Sequence, residues 1–170
     1  MTNSINEICE AQTILAIGTN TTAAHPVLAL QVKEAVRKGA KLIVVNPKEI
    51  DLVKFAHLFI QPRPGTDVAL LMGMMRVIVD EGLHDSEFIA SRCEDFDAFR
   101  ESLAEYDAAV VEEKTGVPFA RVAEAARMYA TNSPASILYA MGITQHTHGT
   151  DNVLATSNLA LLTGNVGIPS

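Results

Sequence analysis

The chain has 170 residues, 48% of them apolar and 19% charged, with a mean hydropathy of +0.18, so it can bury a real core and is expected to form one globular domain over residues 1–170. A formal charge of −7 and a pI near 5.1 exclude nucleic acid and anionic membrane surfaces as bulk electrostatic partners, because attraction to phosphate needs the opposite sign; an anionic ligand would require a local trap. The longest apolar stretch, Val68 to Val79, contains Arg76 and falls short of the roughly 20 residues that cross a bilayer, so no membrane insertion by this segment is expected.

In chain order, the opening M-T-N-S-I-N-E-I-C-E lacks the basic and long apolar regions of an export signal; a cytoplasmic setting is the expectation, with a periplasmic one the alternative if a segment ahead of it carries such a signal. Thr13 to Ile17 (T-I-L-A-I), stopped by Gly18, and Lys41 to Val45 (K-L-I-V-V), stopped by Asn46-Pro47, read as strands buried on both faces. Between them His25-Pro26 opens a helical pattern through Val27, Leu28, Leu30, Val32, Ala35 and Val36 that closes at Lys38-Gly39, giving a unit of the size of one right-handed βαβ. A short helix from Asp51 to Phe55 precedes a third strand at His57 to Ile60, and Thr66 or Asp67 caps a long apolar helix ending near Asp80. Residues 86–131 hold several helical segments, the clearest from Pro118 to Tyr129. Ser136 to Tyr139 returns as a strand and Asp151 to Leu162 forms the last helix. The sum is an α/β fold: a three-layer αβα sandwich around a mainly parallel, Rossmann-like sheet, with a helical insertion. Cys9 and Cys93 are far apart and show no CxxC spacing, so they assemble neither a zinc site nor an iron–sulfur cluster and are expected to be reduced core thiols.

Ligands of parallel sheets bind beyond the carboxyl ends of the strands, and four loops lie there. Gly18, Thr19, Asn20, Thr21 and Thr22 follow the first strand: glycine permits close backbone approach and the polar side chains can donate to phosphate, although a plain turn with an N-cap explains the same residues. Asn46, Pro47, Lys48, Glu49 and Ile50 follow the second strand; Asn46 suits a ribose, or an Asx-Pro turn. In Gln61 to Asp67, two prolines and Gly65 stiffen the approach to a helix; Asp67 caps it, or Thr66 caps it and leaves the Asp67 carboxylate to accept two N–H groups of a guanine edge. Met141 to Thr150 is a polar loop whose groups call for a polar ligand. Its His146 and His148 lack a third ligand for a metal and read as loop hydrogen-bonders.

The runs I-G-T-N-T-T-A-A-H-P (17–26), V-V-N-P-K-E-I-D (44–51), P-G-T-D (64–67) and M-G-I-T-Q-H-T-H-G-T-D-N (141–152), in this order, resemble the cofactor-binding loops of the molybdopterin oxidoreductase family. The H-T-H-G-T-D wording is nearer to its formate dehydrogenase large subunits than to its nitrate reductases. The resemblance implies a molybdopterin guanine dinucleotide carrying molybdenum or tungsten. Gly18 to Thr22 and Ala24 would hold the pyrophosphate region, Asn46 to Ile50 the nucleoside, and Gly65, Thr66 and Asp67 the guanine. Met141, Gly142 and Gln145 would meet the pterin. It also implies that the chain is a fragment, with a 4Fe-4S cluster and the metal ligand elsewhere in its subunit and iron–sulfur electron-transfer subunits as partners. No catalytic residue or metal ligand is assigned here, and the fragment alone is expected to be inactive. A self-standing nucleotide- or partner-binding α/β module without redox chemistry, or the same domain of a nitrate reductase, is the alternative.

Overall fold

The computed structural model describes residues 3–168. Met1 and Thr2 lie outside the described residues, as do Pro169 and Ser170, which close the glycine-punctuated stretch. Four strands, β1 (Thr13–Ile17), β2 (Lys41–Val45), β3 (Leu58–Ile60) and β4 (Ala135–Tyr139), form one sheet in the order β3-β2-β1-β4. All three pairings are parallel. Ile17 pairs with Val45 and with Tyr139, and Val45 pairs with Ile60, so the four carboxyl ends finish level along one rim.

Successive residues of a strand face opposite sides, and here both sides are apolar. Leu15, Ile17, Ile43 and Val45 join one core cluster, while Ile14, Ala16, Leu42 and Val44 join the other. After a single turn, α1 (Thr21–Ala24), helix α2 (Pro26–Arg37) covers the second cluster with Val32 and Ala35. Pro26 opens α2 at its first turn, where a missing N–H is harmless. The first cluster is covered by α3 (Asp67–Asp80), whose Leu70, Leu71, Met74, Met75 and Ile78 are all buried, and by later helices. Helices on both faces of a parallel sheet make the three-layer αβα arrangement that the sequence predicts.

The insertion resolves into α4 (Ser86–Arg92), α5 (Phe96–Ser102) and α6 (Ala108–Thr115), then α7 (Phe119–Thr131). Asp85 and Asp107 cap α4 and α6 through their carboxylates. The chain then crosses to β4, makes one helical turn, α8 (Met141–Thr144), and ends in α9 (Gly149–Leu162). Because β2 and β3 lie on one side of β1 while β4 lies on the other, the strand order reverses at β1, the position at which parallel sheets open a crevice.

Several boundaries differ from expectation. β3 starts at Leu58 because His57 is engaged beside it: its N–H donates to Leu42 O at 2.8 Å and its Nδ1 accepts Leu42 N–H at 3.1 Å. β4 starts one residue early, at Ala135, whose N–H donates to Asn165 Oδ1 at 2.9 Å. α9 starts at Gly149, and the loop read as irregular contains α8. Cys9 and Cys93 are free thiols but only half-buried, not core residues; Cys9 Sγ reaches Gln31 Oε1 at 3.4 Å. Among the described residues no helix is long and apolar enough to cross a membrane.

Candidate ligand-binding site

The four loops expected to act together do converge. A cavity of about 250 Å³ opens at the rim between β1 and its neighbours. Gly18, Thr19 and Asn20 supply one wall, Asn46 and Pro47 a second, Pro62, Arg63, Pro64, Gly65 and Asp67 a third, and Gly142 and His146 the fourth. It is small beside a complete ligand pocket, typically ~300–1,000 Å³, as a one-sided cradle would be. A larger cavity of about 510 Å³ lies between α4, α5 and α9, lined mainly by side chains such as Ile89, Phe96, Phe99 and Leu161. It sits away from the strand ends, and the convergent polar groups that mark a specific site are in the smaller one.

Loop one reaches the cavity because Gly18 takes φ +58, a conformation that suits glycine. Its N–H donates to Val45 O at 3.1 Å, continuing the β1–β2 ladder by one residue. From the other side Gly142 N–H donates to Gly18 O at 3.0 Å. Loops two and one are tied by Asn46, whose Nδ2 donates to Thr19 O at 3.3 Å while its Oδ1 accepts Lys48 N–H at 2.9 Å. The side chain therefore makes the Asx turn of the second reading and at the same time bridges to the neighbouring loop.

Loop three delivers Asp67. Thr66 stands at the N-cap of α3, but its hydroxyl donates backwards to Arg63 O at 2.7 Å and does not cap the helix. Asp67 occupies the first helical position with 7% exposure, facing the cavity, and no other side chain donates to its carboxylate among the described residues. Burial raises its pKa above the usual carboxylate value, with the nearby charge of His146 and its own backbone N–H acting the other way. A buried carboxylate held at a helix start, where partial positive charge supports the anion, is an acceptor awaiting a donor.

The remaining candidates divide. Thr21 is 1% exposed behind loop one, and its buried hydroxyl has no partner. Thr22 donates to Asn20 Oδ1 at 2.9 Å, and Ala24 is exposed at the end of α1. Lys48 and Glu49 are exposed beyond the cavity. Ile50 has its side chain buried in the second core cluster, which leaves its backbone as the part that could meet a ligand. Met141, 63% exposed, and Gln145 sit on the rim outside the cavity. Arg63 and His146 line it without having been among the candidates. His148 stands 3.9 Å from Asp151 Oδ2, away from it. Among the described residues no cluster of three or more His, Cys, Asp or Glu is placed to hold a metal ion.

Comparison with known proteins matches residues 1–170 to the molybdopterin oxidoreductase family. The F420-dependent formate dehydrogenase 1 subunit alpha of Methanococcus maripaludis is 43% identical over 169 residues, which is 99% of this chain and 25% of that protein. Formate dehydrogenase H of Escherichia coli is 41% identical over 169 residues, 99% of this chain and 24% of that protein. Among solved structures, acetylene hydratase from Pelobacter acetylenicus superimposes with a TM-score of 0.87 at 30% identity, over 95% of this chain and 24% of that one. The chain thus spans about a quarter of the length of these relatives. It belongs to the molybdopterin oxidoreductase family.

Proposed function

We propose that this member of the molybdopterin oxidoreductase family cradles the guanine dinucleotide tail of the cofactor inside the large subunit of a molybdenum- or tungsten-dependent formate dehydrogenase. The observation that carries the reading is the buried Asp67 carboxylate, without a side-chain donor, facing a cavity built from the ends of all four strands. Formate as substrate rests on the names of the sequence relatives; the acetylene hydratase likeness speaks for the fold, and fold alone does not choose a reaction.

The residues present fit the tail. Gly18 and Gly142 leave bare backbone where a β-carbon on either would strike the other loop, so these two loops can close against each other at the cavity wall. Thr19 and Asn20 offer donors to phosphate oxygens, and Asn46, between loops one and two, faces the ribose. Asp67 takes two hydrogens from the guanine edge in a charge-assisted pair. Gly65, at φ +81, turns the chain so that Asp67 starts α3 at the cavity wall. The bound group would supply the site at which formate is oxidised to CO2 with release of one proton and two electrons. The metal's ligands and the iron–sulfur centres that take the electrons would belong to the rest of the subunit and its partners, and the chain alone would be inactive.

Asp67→Asn in the full subunit tests this. A carboxylate replaced by an amide loses a charged hydrogen bond, about 1.5–3 kcal/mol, and cofactor retention should fall about tenfold or more. Purified variant with undiminished metal, pterin and guanine content would refute the assignment.

A further inference from the structure

We propose that His146 is a second base-reading residue of the cavity, its Nδ1 accepting the amino hydrogen of guanine that the Asp67 carboxylate leaves free. This rests on the guanine reading above and extends it to a residue that the sequence offers only as a loop hydrogen-bonder.

The ring is oriented by one contact. His146 Nε2 lies 2.8 Å from Gly142 O, and a carbonyl oxygen only accepts, so Nε2 carries the hydrogen. In the neutral ring that makes Nδ1 the lone-pair acceptor; it has no hydrogen-bond partner among the described residues. The anchor is itself fixed, because Gly142 N–H is bound to Gly18 O at 3.0 Å and Gly18 N–H to Val45 O at 3.1 Å. A side chain at the exposed end of α8 is thereby tied to the sheet. His146 lines the same cavity as Asp67.

Guanine chemistry supplies the complement. The base presents three N–H hydrogens, one on N1 and two on the exocyclic amine. A carboxylate facing the edge takes the N1 hydrogen and the nearer amino hydrogen. The other points sideways, and a buried donor without an acceptor is unfavourable. A neutral imidazole beside the carboxylate answers it. Adenine offers an acceptor at ring N1 where Asp67 also accepts, so the pair disfavours it.

The test is a ligand-observed NMR titration of the chain with GDP, IDP and ADP. IDP lacks the amino group and is otherwise the same nucleotide. Wild type should prefer GDP over ADP, and Asp67→Asn should weaken both GDP and IDP, GDP the more because IDP offers the carboxylate only its N1 hydrogen. His146→Ala should weaken GDP about fivefold, the loss of one hydrogen bond, and leave IDP unchanged. His146→Gln, whose amide oxygen accepts, should recover part of the loss and guard against a folding artefact. An equal loss for GDP and IDP would assign the ring to ribose or phosphate and overturn the inference. No loss with GDP, while the GDP preference and the Asp67 effect persist, would also overturn it and leave the guanine reading standing. Equal binding of GDP and ADP by wild type would remove the guanine reading and this inference with it.

Discussion

Gly142 and Gly18 meet backbone to backbone: the Gly142 amide donates to the Gly18 carbonyl at 3.0 Å, and a β-carbon built on Gly18 would lie 2.8 Å from the Gly142 carbonyl carbon. One built on Gly142 would strike the Gly18 oxygen. Main chain cannot swing aside as a side chain can, so Gly142→Ala should destabilise the fold by about 2–3 kcal/mol, at the upper end for a point substitution. Gly18→Ala should do so by at least as much, since φ +58 adds roughly 1–2 kcal/mol for a residue with a β-carbon. Urea unfolding checks both; a Gly142→Ala midpoint equal to wild type would mean that the loops part easily.

On the proposed function, Asp67 sets ligand capture against stability. Its raised pKa means that the folded state favours the neutral acid, so in the ligand-free protein the charged form is a penalty present above the folded pKa and relieved as pH falls through it towards 3.8, the ordinary carboxylate value. Asp67→Asn should therefore raise the melting temperature of the ligand-free chain at pH 7, with the gap to wild type closing at low pH. A variant less stable than wild type at pH 7 would show that the carboxylate has a structural donor after all.

Gly73 lies where α3 crosses α6. A β-carbon there would approach Val111 Cγ2 to 2.9 Å, and Val111 is fully buried. Alanine improves helix propensity by about 1 kcal/mol, yet overpacking commonly costs about 1–3 kcal/mol. Gly73→Ala alone should be destabilising, and in a Val111→Ala background it should be stabilising. Additive behaviour across that double-mutant cycle would exclude direct contact.

His57 gives a pH signature. Burial, with the charge of Lys41 adding to it, lowers its pKa below 6.5, and the neutral ring accepts Leu42 N–H. Since the folded pKa lies under the unfolded one, the contribution is complete above pH 6.5 and is lost as pH falls through the lowered value. The urea midpoint of wild type should drop more between pH 7 and pH 5 than that of His57→Gln. Parallel curves would argue against the ring bond.

Much of this architecture is legible in short runs. T-I-L-A-I and K-L-I-V-V, apolar on both faces and stopped by Gly18 and Asn46, become β1 and β2 with the boundaries the sequence predicts. That the loops behind them meet follows from the general behaviour of parallel strand ends. The insertion is harder, because α4, α5 and α6 are seven or eight residues each, too short for a periodic signal. Asp85 and Asp107, each capping the third residue beyond it, were the readable marks. α8 has no local signature at all: M-G-I-T turns where Gly142 docks on Gly18, a tertiary contact. His146 owes its place to that turn, so no reading of local propensity could have brought it to Asp67.

The reversal of strand order at β1 has a consequence for how such a site changes over time. The opening exists because the chain departs from adjacent strands in opposing directions, and no particular side chain creates it. Substitution can rework the walls residue by residue while the gap persists, so a lineage can refit the opening to a ligand without first inventing a new place to hold one.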